Sequence, residues 1–273
     1  MPRMQPPPGW IRGSEATARL RISDSLLSRY VSEGKIRRYV PHGRKYGFYN
    51  EDDVKILEDV SAAFPGVKHQ QHRSFFSIAR RSDISAIAKI DHDAIHPEDD
   101  QYNDEFLLRW QQRNPETLFA LRDSNGTVVG FVSILPLTRS ALDRVIRGEI
   151  SLTDLVDEDI PLFAAGARIH LYVVAMAIDP KFPLKIRHEY GAALLAGFFS
   201  FLLALAERGV IIETATARSH TQEGIKLMRR LGLPWLISPV PGIELFSVRV
   251  AESGMPFLRK YAAKLAEKHS LPN

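Results

Sequence analysis

Residues 169–195, IHLYVVAMAIDPKFPLKIRHEYGAALL, constrain the fold more than any other stretch. The run opens on IHLYVVAMAI and closes at Asp179 and Pro180. An apolar run of that length, rich in β-branched residues and bounded by turn formers, reads as a buried strand. A loop of mixed charge follows. From His188 the sequence HEYGAA opens a very apolar helix that continues to about Arg208. A strand, a loop and a helix that starts on small residues form a cradle for a pyrophosphate. The first N–H groups of a helix lack partners, its dipole favours negative charge, and Gly or Ala lets a ligand approach the backbone. The bland alternative is an ordinary strand, loop and helix of an α/β domain.

Ile178, Asp179 and Pro180, followed by His188-x-x-Gly191-x-Ala193, resemble the central motif of the GNAT superfamily of acyl-CoA N-acyltransferases. In that family a strand ends in Val/Ile-Asp-Pro, and Gln/Arg-x-x-Gly-x-Gly/Ala opens the next helix. Two departures are visible. His188 replaces Gln or Arg, with Arg187 beside it, and the loop is a few residues longer. The resemblance implies coenzyme A binding by Ala175, Met176, Ala177 and Ile178 on the strand, and by Arg187, His188, Gly191, Ala192 and Ala193 at the helix start.

The flanking sequence extends the resemblance from about Ser74 to the C-terminus. Strands are expected at 74–80, 118–122, 128–135, 210–217 and 243–250. Helices are expected at 84–92, 104–112, 137–150, 219–231 and 255–268. Asp123, Ser124, Asn125 and Gly126 make a hairpin turn. Gly130, Phe131 and Val132 stand where the family carries a Gly-aromatic-hydrophobic strand. The segment 151–160 reads as an acidic surface stretch. The expected fold is a GNAT-like mixed sheet flanked by helices, of the α/β (α+β) class.

The charge of the chain is unevenly placed. The net charge is +4, yet between Trp10 and Tyr49 nine basic residues face three acidic ones. A polyanion partner for that segment is the physical implication. Residues 1–9 are proline-rich and read as a disordered tail. Ser14 is a candidate cap for a first short helix, residues 21–24 a turn, 25–33 a second helix ended by Gly34, and 35–49 two strands joined by Pro-His-Gly. Asn50 caps a further helix. A linker at 64–73 completes the division into 10–63 and 74–273. The pattern from Gly13 to Val54 resembles the MerR/excisionase type of winged helix–turn–helix. That resemblance implies Ser25, Ser28 and Arg29 at base edges and Arg37, Arg38, Arg44 and Lys45 on phosphates. The alternative is a helical dimerisation module without DNA binding. Readers of this type pair two half-sites, so a homodimer is expected.

Transfer of an acyl group to an amine needs a polarised thioester, a deprotonated amine and a protonated leaving thiolate. Glu213 is the sole ionisable group of its strand, so it is either a base or the partner of Arg218 or another arginine. His170 and Tyr172 share a strand face and are candidate bases, with a structural histidine as the alternative for His170. Met228 occupies the place where the family often carries a tyrosine acid, and a thioether donates no proton.

There are no cysteines, which excludes thiol nucleophiles and fits a reducing cytoplasm. Neither a signal peptide nor a membrane span is expected, because the apolar run 192–206 is short and closed by acids. Two functions follow. One is an acetyl-CoA-dependent N-acetyltransferase, acting on a small-molecule or protein amine, carried by a DNA-binding domain. The other is a regulator whose GNAT-like domain senses an acyl-CoA or a small ligand.

Overall fold

In the computed structural model, residues 5–44, 46–64, 72–95 and 104–270 are described. The first unit contains β1 (Trp10–Arg12), α1 (Gly13–Leu20), α2 (Asp24–Ser32), β2 (Arg38–Tyr39), β3 (Phe48–Asn50) and α3 (Glu51–Ala63). Its three strands pair antiparallel in the order β1-β3-β2. The first helix begins one residue before Ser14 and has no side-chain cap. The tight turn to α2 puts Arg21 at φ 55°. Ser23 then caps α2, and Asn50 caps α3 by accepting from the Asp53 N–H. Gly9, expected in a disordered tail, accepts from the Glu51 N–H at 3.0 Å.

The rest of the chain follows as β4 (Ser74–Ile78), α4 (Ile84–Ala94), α5 (Asp104–Arg113), β5 (Leu118–Asp123), β6 (Val128–Leu137), α6 (Arg139–Arg147), β7 (Arg168–Ile178), α7 (Leu184–Glu207), β8 (Ile211–Ser219), α8 (Gln222–Leu231), β9 (Trp235–Leu236), β10 (Glu244–Arg249) and α9 (Pro256–Ser270). They form one mixed sheet in the order β4-β5-β6-β7-β8-β10-β9. Only the β7–β8 pair is parallel, with α7 as the crossover. Residues 151–160 are not a plain surface stretch: Leu152, Leu155 and Ile160 are buried in it.

One face of the sheet packs on α7, the other on α4, α5 and α6. Tyr261 latches α9 to β8, its hydroxyl donating to the Val210 carbonyl and accepting from the Ile212 N–H. The first unit does not stand apart. Its α3 packs along α7, and the cores of the two units are continuous. Asp52 of α3 also sits between Lys260 at 2.8 Å and Lys264 at 2.7 Å on α9. Among the described residues, α7 alone is long and apolar enough to cross a membrane, and it lies mostly buried inside the molecule.

Candidate active site

The site starts from how β7 pairs. Along one edge it pairs with β6 throughout, with an irregularity at Val174. Along the other edge it pairs with β8 only as far as Val173 and Ala217. Beyond that point β8 continues beside β10, and β7 beside β6, so the two central strands fork. The Asp179 N–H donates to Val129. Backbone groups alternate along a strand, so Ala177 and Ala175 face β6, whereas Met176 and Ile178 aim their N–H groups into the fork. Of the strand residues expected to bind a cofactor, two therefore present donors and two do not. Gly130 permits the close β6–β7 approach: a Cβ there would meet the Ala177 carbonyl at 2.8 Å.

The anion cradle is displaced from its expected place. Helix α7 begins at Leu184, after Pro183, not at His188. Gly191, Ala192 and Ala193 lie two turns inside it, where their N–H groups are committed to the helix. Ala192 and Ala193 are buried in the core. A Cβ on Gly191 would meet the Phe64 ring at 3.0 Å, and His188 touches the same ring edge-on. The small residues thus seat α3 on α7 and do not cradle a phosphate. The orphan N–H groups belong to the turn 184–186, flanked by Lys185 and Arg187. The Arg187 Nε is buried without a hydrogen-bond partner among the described residues, which suits an anion at that turn. Lys185 was not singled out by the sequence pattern, because the His188-x-x-Gly191-x-Ala193 spacing drew attention downstream of it.

Glu213 and His170 do meet, at the wrong end of the strands. The His170 Nε2 lies 3.4 Å from Glu213, and Nδ1 is 2.9 Å from the Thr214 hydroxyl. A bulge on β8 places both Glu213 and Thr214 opposite His170. The pair sits six residues before Met176, roughly 20 Å along the strand at 3.3 Å per residue. Glu213 takes Arg168 as its partner at 2.6 Å, not Arg218. Burial pulls the His170 pKa below its ordinary value, Glu213 opposing, so the imidazole stays neutral near pH 7. Both line a cavity with Arg168 and Tyr261, away from the fork.

Tyr172 is different. It lies one residue below the fork, is buried, and accepts from the Arg218 Nε at 2.6 Å. Burial raises its pKa, with Arg218 opposing, so the phenol keeps its proton. That suits an acid and not a base. Met228 is packed in a small core with Ala217, Ile225 and Phe246.

In the first unit, Ser25 and Ser28 are exposed on α2, and Arg38 and Arg44 on the hairpin. Arg29 turns back to Glu33 at 3.4 Å. Arg37 is hydrogen-bonded to Asp53 and Asn50, with its side chain still exposed at the surface. Lys45 lies outside the described residues.

No protein-family model matches the chain, and no curated protein sequence matches it. Solved structures do resemble it. The ribosomal-protein-S18-alanine N-acetyltransferase from Escherichia coli is 16% identical, over 67% of this chain and 97% of that one, with a TM-score of 0.41. The mosquito arylalkylamine N-acetyltransferase like 5b is 13% identical over 64% and 99%, with a TM-score of 0.43. Arabidopsis thaliana Naa50, solved with the bisubstrate analogue CoA-Ac-MVNAL, is 13% identical over 64% and 97%, with a TM-score of 0.40.

Proposed function

We propose that the chain is an acyl-CoA-dependent N-acyltransferase with acetyl-CoA as donor, and that its first unit binds DNA in the manner of a winged helix–turn–helix. The observation that carries the first half is the fork between β7 and β8. It leaves the Met176 and Ile178 N–H groups without a strand partner, facing the gap that opens between the two strands. Such donors hold an extended amide-bearing arm and polarise a carbonyl placed among them. The turn 184–186, with Lys185 and Arg187, supplies the charge for the donor's phosphates. Tyr172 hands its proton to the departing thiolate, and Arg218 steadies the phenolate that remains.

Calorimetric titration of acetyl-CoA tests this reading. The full chain binds it, and Lys185→Glu combined with Arg187→Glu abolishes the heat. Unchanged binding in the double variant overturns the assignment of the helix start. No heat in the parent protein overturns the donor altogether.

The second half rests on α1, the turn at Arg21 and α2, followed by a hairpin carrying exposed Arg38 and Arg44. A sensing role is favoured by one contact: Phe64, at the end of α3, lies on α7 a few residues beyond the proposed phosphate turn. Release of thiol from acetyl-CoA in the presence of amines separates the enzyme from the sensor.

A further inference from the structure

The sheet face opposite α7 is crossed by α4, and the course of that helix can be fixed at two points. The Lys89 ammonium pairs with Asp93 and also feels Asp179, at the end of β7. The Ile95 carbonyl accepts from the His220 Nε2 at 2.8 Å, just after β8. The last turns of α4 therefore reach from the end of one central strand to the end of the other. They bridge the mouth of the fork.

Asp91 lies between those two anchors. It belongs to the stripe Ile84, Ile87, Ile90 and Asp91 that faces the sheet, and it is 6% exposed. Its Oδ1 is buried with no hydrogen-bond partner among the described residues. Its situation is exceptional. Among the described residues, Asp53, Asp83, Asp159 and Glu189 are also buried, and they pair with Arg37, Arg122, Arg144 and His72 respectively. An unpaired buried carboxylate costs several kcal/mol of desolvation, roughly, and fold stability alone gives no reason to keep it. A cationic ligand arriving at the fork would supply the missing partner.

We propose that Asp91 receives the acceptor, a primary amine that is cationic at neutral pH, and acts as the base that deprotonates it. This rests on the acyltransferase reading. The carboxylate pairs with the ammonium and takes one proton. The nitrogen lone pair then forms the C–N bond at the thioester carbonyl. The C–S bond breaks with its electrons on sulfur, and the second nitrogen proton is lost as the thiolate gains one from Tyr172. The products are the amide and the free thiol; the proton on Asp91 leaves to water, and Tyr172 recovers its own proton from the amide nitrogen by way of solvent. Burial, with His92 opposing, pushes the Asp91 pKa up to about 7, where a base works best.

The other titratable groups around it, among the described residues, are Lys89, His92 and Asp93 on its own helix. Tyr172 lies on β7 and Asp179 follows it, Arg218 lies on β8, and His220 follows β8. Glu105, Arg109 and Arg113 lie on α5, and Arg81 and Asp83 in the turn before α4. β6 carries none.

The test compares the full chain with Asp91→Asn. Acetyl-CoA binding is followed by calorimetry, and thiol release is followed across pH with 2-phenylethylamine, spermidine and an alanyl peptide as acceptors. Melting temperature is recorded above neutral pH. The expected variant binds acetyl-CoA as the parent does, loses about 10²-fold in kcat/KM, loses the rise of rate through pH 7, and melts higher. Turnover and pH profile like those of the parent overturn the proposal, and so does a lower melting temperature, which marks a structural carboxylate. A parent that binds acetyl-CoA yet releases no thiol with all three amines overturns it and leaves the sensor. A parent that binds no acetyl-CoA removes the acyltransferase reading itself, and the base with it.

Discussion

Asp91 carries a stability consequence that is separate from any turnover. Its pKa rises on folding from an ordinary 3.8 to about 7, so the folded state holds the proton more tightly than the unfolded chain. Stability is therefore greatest below the unfolded value and falls as pH rises between the two. At about 1.4 kcal/mol per pH unit, the loss above neutrality reaches about 4 kcal/mol. Chemical denaturation of the parent and of Asp91→Asn at acid and neutral pH measures it: the two converge in acid and separate above pH 7, the variant being the more stable. Glu213 gives the opposite expectation. It is partly exposed and salt-bridged to Arg168, away from the fork. Glu213→Gln leaves kcat/KM with acetyl-CoA unchanged and alters stability by under about 1 kcal/mol, because exposed ion pairs contribute little. Asp91 had a signal in the sequence: an acid on a stripe whose spacing from Ile84 and Ile87 calls for an apolar residue. Glu213 attracted attention because the expected strand 210–217 holds no other charge, while the arginine that satisfies it is 45 residues away.

At the scale of elements, β7 was legible because an apolar run rich in β-branched residues and closed by Asp179 and Pro180 reads as a buried strand; the fork depends on pairing between residues far apart in the chain. The start of α7 was not legible. Gly191 and Ala193 look like a phosphate turn, yet Pro183 is well suited to stand before a first turn, and Leu184, Lys185, Ile186 and Arg187 propagate a helix readily. Local propensity decided the boundary, and the glycine was free to serve packing. The ion pair of Arg37 was hidden for a related reason: its carboxylate partner, Asp53, is 16 residues distant and only the folded hairpin brings it near. Close packing on α7 also predicts the effect of a methyl group. A Cβ at Gly197 would overlap the Phe76 ring, which stacks on Phe119 at 5.1 Å. Gly197→Ala lowers the melting temperature, by about 1–3 kcal/mol of stability, despite the better helix propensity of alanine. For the hairpin, Arg38→Glu with Arg44→Glu lowers the salt slope of binding to duplex DNA by about 0.9 for each phosphate no longer neutralised, measured by fluorescence anisotropy.

The molecule as a whole is joined by α3, whose apolar side enters the core shared with α7 and whose Asp52 reaches α9. Burial pushes the Asp52 carboxyl up, and Lys260 and Lys264 more than offset it, holding it below the ordinary 3.8. That stabilisation is complete above 3.8 and is lost as pH falls through the lower folded value. Acid titration followed by protease susceptibility of residues 10–64 shows the first unit loosening in that range. Asp52→Asn loosens it already at neutral pH. A calorimetric scan near neutrality gives one cooperative transition and not two, since the core of the first unit is continuous with the core over α7 and does not melt alone. The continuous core was invisible in the sequence because the two halves each carry enough apolar residues to read as self-sufficient.

Phe64 resting on Gly191 limits what shuffling can do with this chain. A module joined to its neighbour by a tether can be cut out and attached to another partner. Here the recipient would need a glycine at the matching helical position and a bare apolar stripe around it. The piece beginning at Ser74, made alone, would present that stripe of α7 to solvent and self-associate. A larger residue at position 191 therefore requires a smaller one at position 64.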